Sequence, residues 1–367
     1  MTSHRLLLPL QLIALCIATA FSIGACQKES LTTASVGTGT SPTGNLPNSN
    51  PPVIHWVYNG TIPMGNPASL GREQAYGYSI NGLGYICGGF FDMPGDGNLY
   101  YAKDNWEYNP TAQAWTQKAD FPGEWTWGGA TFVINSNAYV VAGNDNTTWQ
   151  YNQTSNTWAQ KANYPHWRAN ATGMSIGGAG YVGCGDDGAG PGTNNFTKSW
   201  FMYVPYFDTW TRIADFPGHG RENAFSFVIG NNGYVGSGDS IDFSTTNYFR
   251  DFWKYNAATN TWTKEAEFPG KGRGKCVGLN GTTTGVVTTG LNQVGVFPNE
   301  TSTLLSDTWQ YTPGSNSWTQ LANFAGGARA WASGFSIGNT IYVAGGNSVD
   351  VASNAGAKKD LYSMTLQ

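Results

Sequence analysis

Six times along the chain a short apolar run ends in glycine, and the spacing of these runs limits the fold more than any other feature. They are Tyr85-Ile-Cys-Gly-Gly89, Tyr139-Val-Val-Ala-Gly143, Tyr181-Val-Gly-Cys-Gly185, Tyr234-Val-Gly-Ser-Gly238, Val286-Val-Thr-Thr-Gly290 and Tyr342-Val-Ala-Gly-Gly346. Their first residues are 54, 42, 53, 52 and 56 positions apart. Self-similarity at a period near 50 means one supersecondary unit per repeat, each burying its apolar surface against its neighbours. The composition agrees. There are 49 glycines, 14% of residues are aromatic and only 11% are charged, as expected of many short strands joined by glycine turns.

A second marker follows each run. An aromatic stands two residues before another large residue, at Trp106/Tyr108, Trp149/Tyr151, Phe201/Tyr203, Trp253/Tyr255, Trp309/Tyr311 and Tyr362/Met364. In five repeats a tryptophan lies seven residues after the tyrosine: Trp115, Trp158, Trp210, Trp262 and Trp318. The step between them is rich in Asn, Pro, Thr and Ser, which form tight turns through side-chain-to-backbone hydrogen bonds and preset dihedrals. It therefore reads as a hairpin joining third and fourth strands. The tryptophan leads into segments such as Trp158-Ala-Gln-Lys-Ala-Asn-Tyr-Pro165. The sixth repeat ends before it can supply this piece, and Trp56-Val-Tyr-Asn-Gly-Thr-Ile-Pro63 supplies it at the other end of the chain. The N-terminal strand is therefore expected to complete the last unit, leaving no free edge between first and last.

The glycines, the strand tyrosine and the tryptophan stand where the Kelch-repeat family has them, and the resemblance covers residues 53–367. It implies an all-β fold, a six-bladed β-propeller of Kelch repeats. Only the first and last repeats keep both glycines, and the fifth lacks the strand tyrosine. Kelch propellers serve as adaptors, enzymes and structural proteins, so the fold does not supply a function.

The N-terminus reads differently. His4 and Arg5 precede an apolar run from Leu6 to Phe21, the order of a secretory signal. Ile23-Gly24-Ala25-Cys26 then resembles a bacterial lipobox, which implies removal of residues 1–25 and lipidation of Cys26. Acyl chains hold a protein at a membrane because each buried methylene contributes roughly 0.8 kcal/mol. Residues 27–52, rich in Ser, Thr, Gly, Asn and Pro, read as a flexible tether with a span of roughly 28 Å r.m.s.. The expected location is the cell envelope, at the outer membrane, periplasmic or surface-exposed. Cys87, Cys184 and Cys276 remain, an odd number on apolar strands, and read as free core thiols.

In a four-stranded meander the loops between strands two and three, and those between blades, share one face. Most of the long connections lie there, and binding residues concentrate on such loops. Thirteen residues before each second strand stand Arg72, Thr126, Arg168, Arg221, Arg273 and Arg329. Five arginines at one step of the repeat would form a partial cationic ring at the channel rim. Guanidinium forks match carboxylates and phosphates, and an animal Kelch adaptor that senses oxidative stress grips acidic peptides from the same position. The same arginines could instead pair with a repeated acid, for example Glu73 or Glu222. Trp125, Trp127, Trp167 and Trp331 lie within two residues of the ring, and His166 and His219 two residues before it. Tryptophan beside arginine suits stacking on a sugar. Acids also collect in the long loops, among them Asp186, Asp187 and Asp239, and read as solvated. No segment has metal-ligand spacing.

The reading that follows is a binding module for an anionic glycan, an acidic peptide or a protein partner, needing no cofactor. The formal charge of −4 argues against nucleic acid. Two alternatives stand beside it. Six-bladed bacterial Kelch proteins include sialate mutarotases, which would give Glu222 the part of general acid/base. A structural surface protein is the other.

Overall fold

A computed structural model describes residues 54–66, 68–93, 98–124, 126–141, 143, 145–188, 195–242, 245–295, 299–349 and 356–367. Trp125, Cys26 and the segments read from the sequence as leader and tether lie outside the described residues. The described part is all-β, with six four-stranded antiparallel sheets. Blade 1 is Tyr76–Ile80, Leu83–Cys87, Asn105–Asn109 and Ala114–Lys118. Blades 2 to 5 repeat this order from inner strands Ala130–Ile134, Thr172–Ile176, Phe225–Ile229 and Val277–Asn280. Blade 6 comprises Ser333–Ile337, Thr340–Ala344 and Asp360–Thr365, and its outer strand is the N-terminal Val57–Thr61. Each inner strand touches the inner strands of both neighbours, so the blades form a closed ring. This is a six-bladed β-propeller, closed by the N-terminal strand as the repeat arithmetic requires.

Among the described residues the apolar core is divided rather than central. Six apolar clusters lie between successive blades. One typical wedge packs Phe132, Tyr139 and Val141 of blade 2 against Val182, Phe201 and Tyr203 of blade 3. The inner strands expose small residues to the channel because six backbones converge there. A Cβ on Gly278 would stand 2.6 Å from the Ser226 carbonyl oxygen of the blade before.

The repeated residues explain the blade contacts. Each tyrosine and the tryptophan seven residues later face each other across the hairpin, with ring centroids 4.9–5.1 Å apart. In blades 2 to 5 the tryptophan indole then donates to an alanine carbonyl of the previous blade, as Trp262 does to Ala214 at 3.1 Å. The turn residue Asn260, at φ 52°, accepts from the Tyr255 hydroxyl at 2.9 Å and from the Ala214 amide at 2.9 Å. Asn156, Asp208 and Asn316 make the same clasp. Trp56 of the N-terminal strand donates to Ala322 at 3.2 Å, joining blade 6 to blade 5 by the same rule.

The last glycine of each apolar run also has a mechanical reason. Gly89, Gly143, Gly185, Gly238, Gly290 and Gly346 all have positive φ. Their amides donate to the carbonyls of Thr126, Arg168, Arg221, Arg273, Arg329 and Arg72 in the next blade. At Gly238 (φ +86°) a Cβ would stand 2.6 Å from the Glu222 oxygen, so only glycine fits.

Candidate functional site

The arginines do not form a cationic ring at the channel. Arg72, Arg221, Arg273 and Arg329 are 0–2% exposed and run inside their own blades. Arg221 grips both oxygens of Asp251 at 2.6 and 2.9 Å, and Arg273 grips Asp307 at 2.8 and 2.7 Å. Arg329 does the same to Asp360 at 2.5 and 3.0 Å, while Arg72 meets Asp104 at 2.6 Å. Each guanidinium also donates to the carbonyl sixteen residues on: Gly88, Ser237, Thr289 or Gly345. The partners are thus aspartates two residues before the third-strand aromatic, not the neighbouring Glu73 or Glu222. Burial alone would raise Asp104, Asp251 and Asp307. The hydrogen bonds and charge of their arginines outweigh it and hold all three below the usual carboxylate range. These four arginines are pins of the scaffold.

Two blades depart from the pattern. Blade 2 has Thr126, whose hydroxyl donates to Gly89. Blade 3 keeps Arg168, 3% exposed, but Ser199 stands where the others have aspartate.

The tryptophans and histidines scatter. Trp127 packs edge-on to Phe90. Trp167 is 36% exposed beside Arg168. His219 is exposed and stacks on Phe249, and His166 is exposed and lies against Phe201. Among the described tryptophans and histidines of this group, only Trp331 lines the channel mouth.

That mouth is lined by Gln74, Asn170, Asn223, Lys275 and Trp331, with Gly128 in blade 2. All six residues have positive φ, between 53° and 69°. They lie two positions beyond the arginine step, where the chain enters each inner strand. Amide bonds cross between blades here: Gln74 to Trp331 at 2.9 Å, Asn223 to Asn170 at 3.1 Å and Trp331 to Lys275 at 3.0 Å. The left-handed backbone is unfavourable for Gln, Lys and Trp, by roughly 1–2 kcal/mol per residue. Such strain gathers at working sites and is held by the surrounding structure.

Behind this lining stand two acids, Glu222 and Asp239, which Asn170 and Asn223 of the mouth reach with their side chains. Their backbones bridge in both directions, at 2.9 and 3.0 Å. Asp239 is 1% exposed and Glu222 is half-buried. Asn170 donates to Glu222 Oε2 at 2.7 Å, and Asn223 to Asp239 Oδ1 at 3.1 Å. A Cβ on Gly274 would collide with Asp239 Oδ1, so glycine there makes room for the carboxylate. Burial and the charge of Asp239 push Glu222 up to about 8, against the Asn170 hydrogen bond and the Lys275 ammonium. Burial likewise raises Asp239. The two acids therefore hold their protons more tightly than free carboxyls do. Lys275 lies over the Trp331 ring at 5.3 Å.

Glu222 was singled out from the sequence, whereas Gln74, Asn170, Asn223, Lys275 and Asp239 were not. Counting back eleven residues rather than thirteen from each second strand finds the lining positions. Each precedes Ala, Gly or Cys, the small residues of the channel wall. Asp239, read from sequence as a solvated loop acid, is buried, with Gly274 of the next blade against its carboxylate and its backbone bridged to Glu222.

The fold and site together define a six-bladed β-propeller with a strained channel mouth backed by a pair of acids. No family model matches the chain, and no curated protein does. Solved structures are similar, one of them described as the structure of YjhT. That similarity has a TM-score of 0.65 at 16% identity and covers 79% of this chain and 94% of that one. At this identity the likeness speaks for the propeller fold alone.

Proposed function

We propose that the protein is a binding module that takes a hydroxyl-rich small ligand, a sugar, at the channel mouth. The Glu222–Asp239 pair carries this reading. Other blades make the same backbone bridge with Glu73/Phe90, Ala169/Asp186, Gly274/Leu291 and Ala330/Asn347, so the fold does not require two facing acids. Neighbouring carboxyls with raised proton affinity that meet amide side chains suit hydroxyl recognition, each acid accepting or donating as the ligand demands. Trp331 offers an apolar face for the sugar ring. With four arginines neutralised, Lys275 is the cation among the described residues lining this mouth that can meet a charge on the ligand.

A glycan array with residues 53–367 tests the reading, run beside a Glu222→Gln/Lys275→Met variant. Binding by the unchanged protein, lost in a variant that melts normally, supports it. Binding that survives both substitutions moves the site away from the mouth.

A second reading, a cofactor-independent sugar mutarotase or epimerase, is favoured by Glu222 alone, raised to about 8. General acid–base catalysis works best with a group whose pKa is near the working pH. Exchange between sugar anomers, followed by NMR, should quicken with the protein and not with Glu222→Gln. On the sequence, the propeller is tethered to the cell envelope through lipidated Cys26. A Cys26→Ser chain should then move from the membrane to the soluble fraction.

A further inference from the structure

The blade 3 pin lacks its acid. In four blades a buried arginine is neutralised by an aspartate two residues before the third-strand aromatic: Asp104, Asp251, Asp307 or Asp360. In blade 3 that step is Ser199, which leaves Arg168 with neutral partners only. Arg168 donates to Ser199 Oγ at 2.8 Å, to Thr197 Oγ1 at 3.5 Å and to the Trp167 carbonyl at 3.1 Å. Its Nε is buried without a hydrogen-bond partner among the described residues, and none of the ion pairs among them includes it. Removing one member of a buried pair normally leaves a charge that strongly destabilises a fold.

The guanidinium lines a cavity of about 420 Å³, together with His166, Trp167, Asp187, Thr197, Ser199 and Arg212. The cavity is open, since Trp167, His166 and Arg212 are all exposed. Arg212 holds Asp215 with one nitrogen at 3.0 Å to each oxygen, and Asp187 is exposed at the edge. His166 feels the local field. Burial lowers its pKa, and Arg168 and Arg212 lower it further, against the opposing charge of Asp187. The same region of blade 4 also has a cavity, but there Asp251 already occupies Arg221.

We propose that this cavity is a second ligand site, in which the carboxylate of an acidic sugar takes the place of the missing aspartate on Arg168. Two oxygens of such a group match the guanidinium fork. Ser199 and Thr197 supply hydroxyls beside it, and the exposed Trp167 indole gives the sugar ring a face to stack on. The site is separate from the channel mouth and does not depend on it.

Isothermal titration with glucuronate, and with glucose as the neutral control, tests the proposal. The informative variant is Ser199→Asp, which installs the internal carboxylate the other blades have. It should fold, melt higher than the unchanged protein and lose glucuronate affinity by at least about tenfold. Both titrations are made in the Glu222→Gln/Lys275→Met background, which removes the groups proposed to bind a sugar at the channel mouth, so that any glucuronate bound reports the blade 3 cavity alone. Competition by inorganic phosphate would mean that the site selects charge rather than carboxylate shape, overturning the ligand class. Equal binding of glucuronate and glucose, glucuronate binding unaltered by Ser199→Asp, or no glucuronate binding at all overturns the site.

Discussion

Arg221 and Arg168 occupy the same step of the repeat, and one partner decides what each can do. Arg221 is closed on all sides by Asp251, the Ser237 and His219 carbonyls and the Phe216 and Phe249 rings. Replacing it by methionine should cost about 3 kcal/mol, because the partner carboxylate is left without its cation. Its pH signature has a definite sign. The folded pKa of Asp251 lies below the unfolded value of about 3.9, so its contribution is present above that value and is lost as pH falls through it. Urea midpoints between about pH 5 and pH 2 should fall less steeply in Arg221→Met than in the unchanged protein. Glu222 behaves oppositely. Its folded pKa, about 8, lies above the unfolded one, so its contribution is present in acid and fades as pH rises towards and past 8. Glu222→Gln should therefore gain on the parent as pH rises from about 5, and be the more stable of the two above pH 8. The sequence exposed the arginine step because identical residues repeat there. The channel mouth was harder to see because Gln, Gly, Asn, Asn, Lys and Trp share a backbone conformation and no side-chain chemistry.

At the scale of the strand and turn, local chemistry was readable and its reach was not. The seven-residue step from tyrosine to tryptophan is a hairpin length, so Tyr255 opposite Trp262 follows from the sequence. That Asn260 in the intervening turn also holds Ala214 of the preceding blade does not, since the two are 46 positions apart. The clasp loads three bonds on one short segment: the Tyr255 hydroxyl and Ala214 amide onto Asn260, and the Trp262 indole onto Ala214. Asn260→Ala removes two of them and puts a Cβ-bearing residue without a local hydrogen bond at φ 52°. We expect a loss of about 2–3 kcal/mol in urea unfolding. Asn260→Asp, which keeps the acceptor as Asp208 does in blade 3, should lose less than half of that. Equal losses for the two substitutions would assign the effect to backbone conformation rather than to the clasp.

A ring of wedges has a weakness that a single core lacks, because every blade depends on both neighbours and one open joint exposes two surfaces. In this molecule the joint is a single five-residue strand. Val57–Thr61 covers the edge of Asp360–Thr365 through pairs such as Tyr58 with Tyr362, while Trp56 reaches across to Ala322 and packs on Phe324. Without it, blade 6 ends on an unpaired strand beside exposed apolar surface, the arrangement that templates pairing between chains. Two shortened chains, one beginning at residue 54 and one at residue 62, separate this contribution from that of the preceding segment. The first should melt cooperatively at the temperature of the longer protein. The second should melt lower and over a broader range, and should sediment as concentration-dependent oligomers, because one blade edge and the blade 5–6 wedge are now open. A chain from residue 62 that remains monomeric and melts like the first would show that the ring is held by its six inter-blade wedges alone, and that the N-terminal strand only covers an edge.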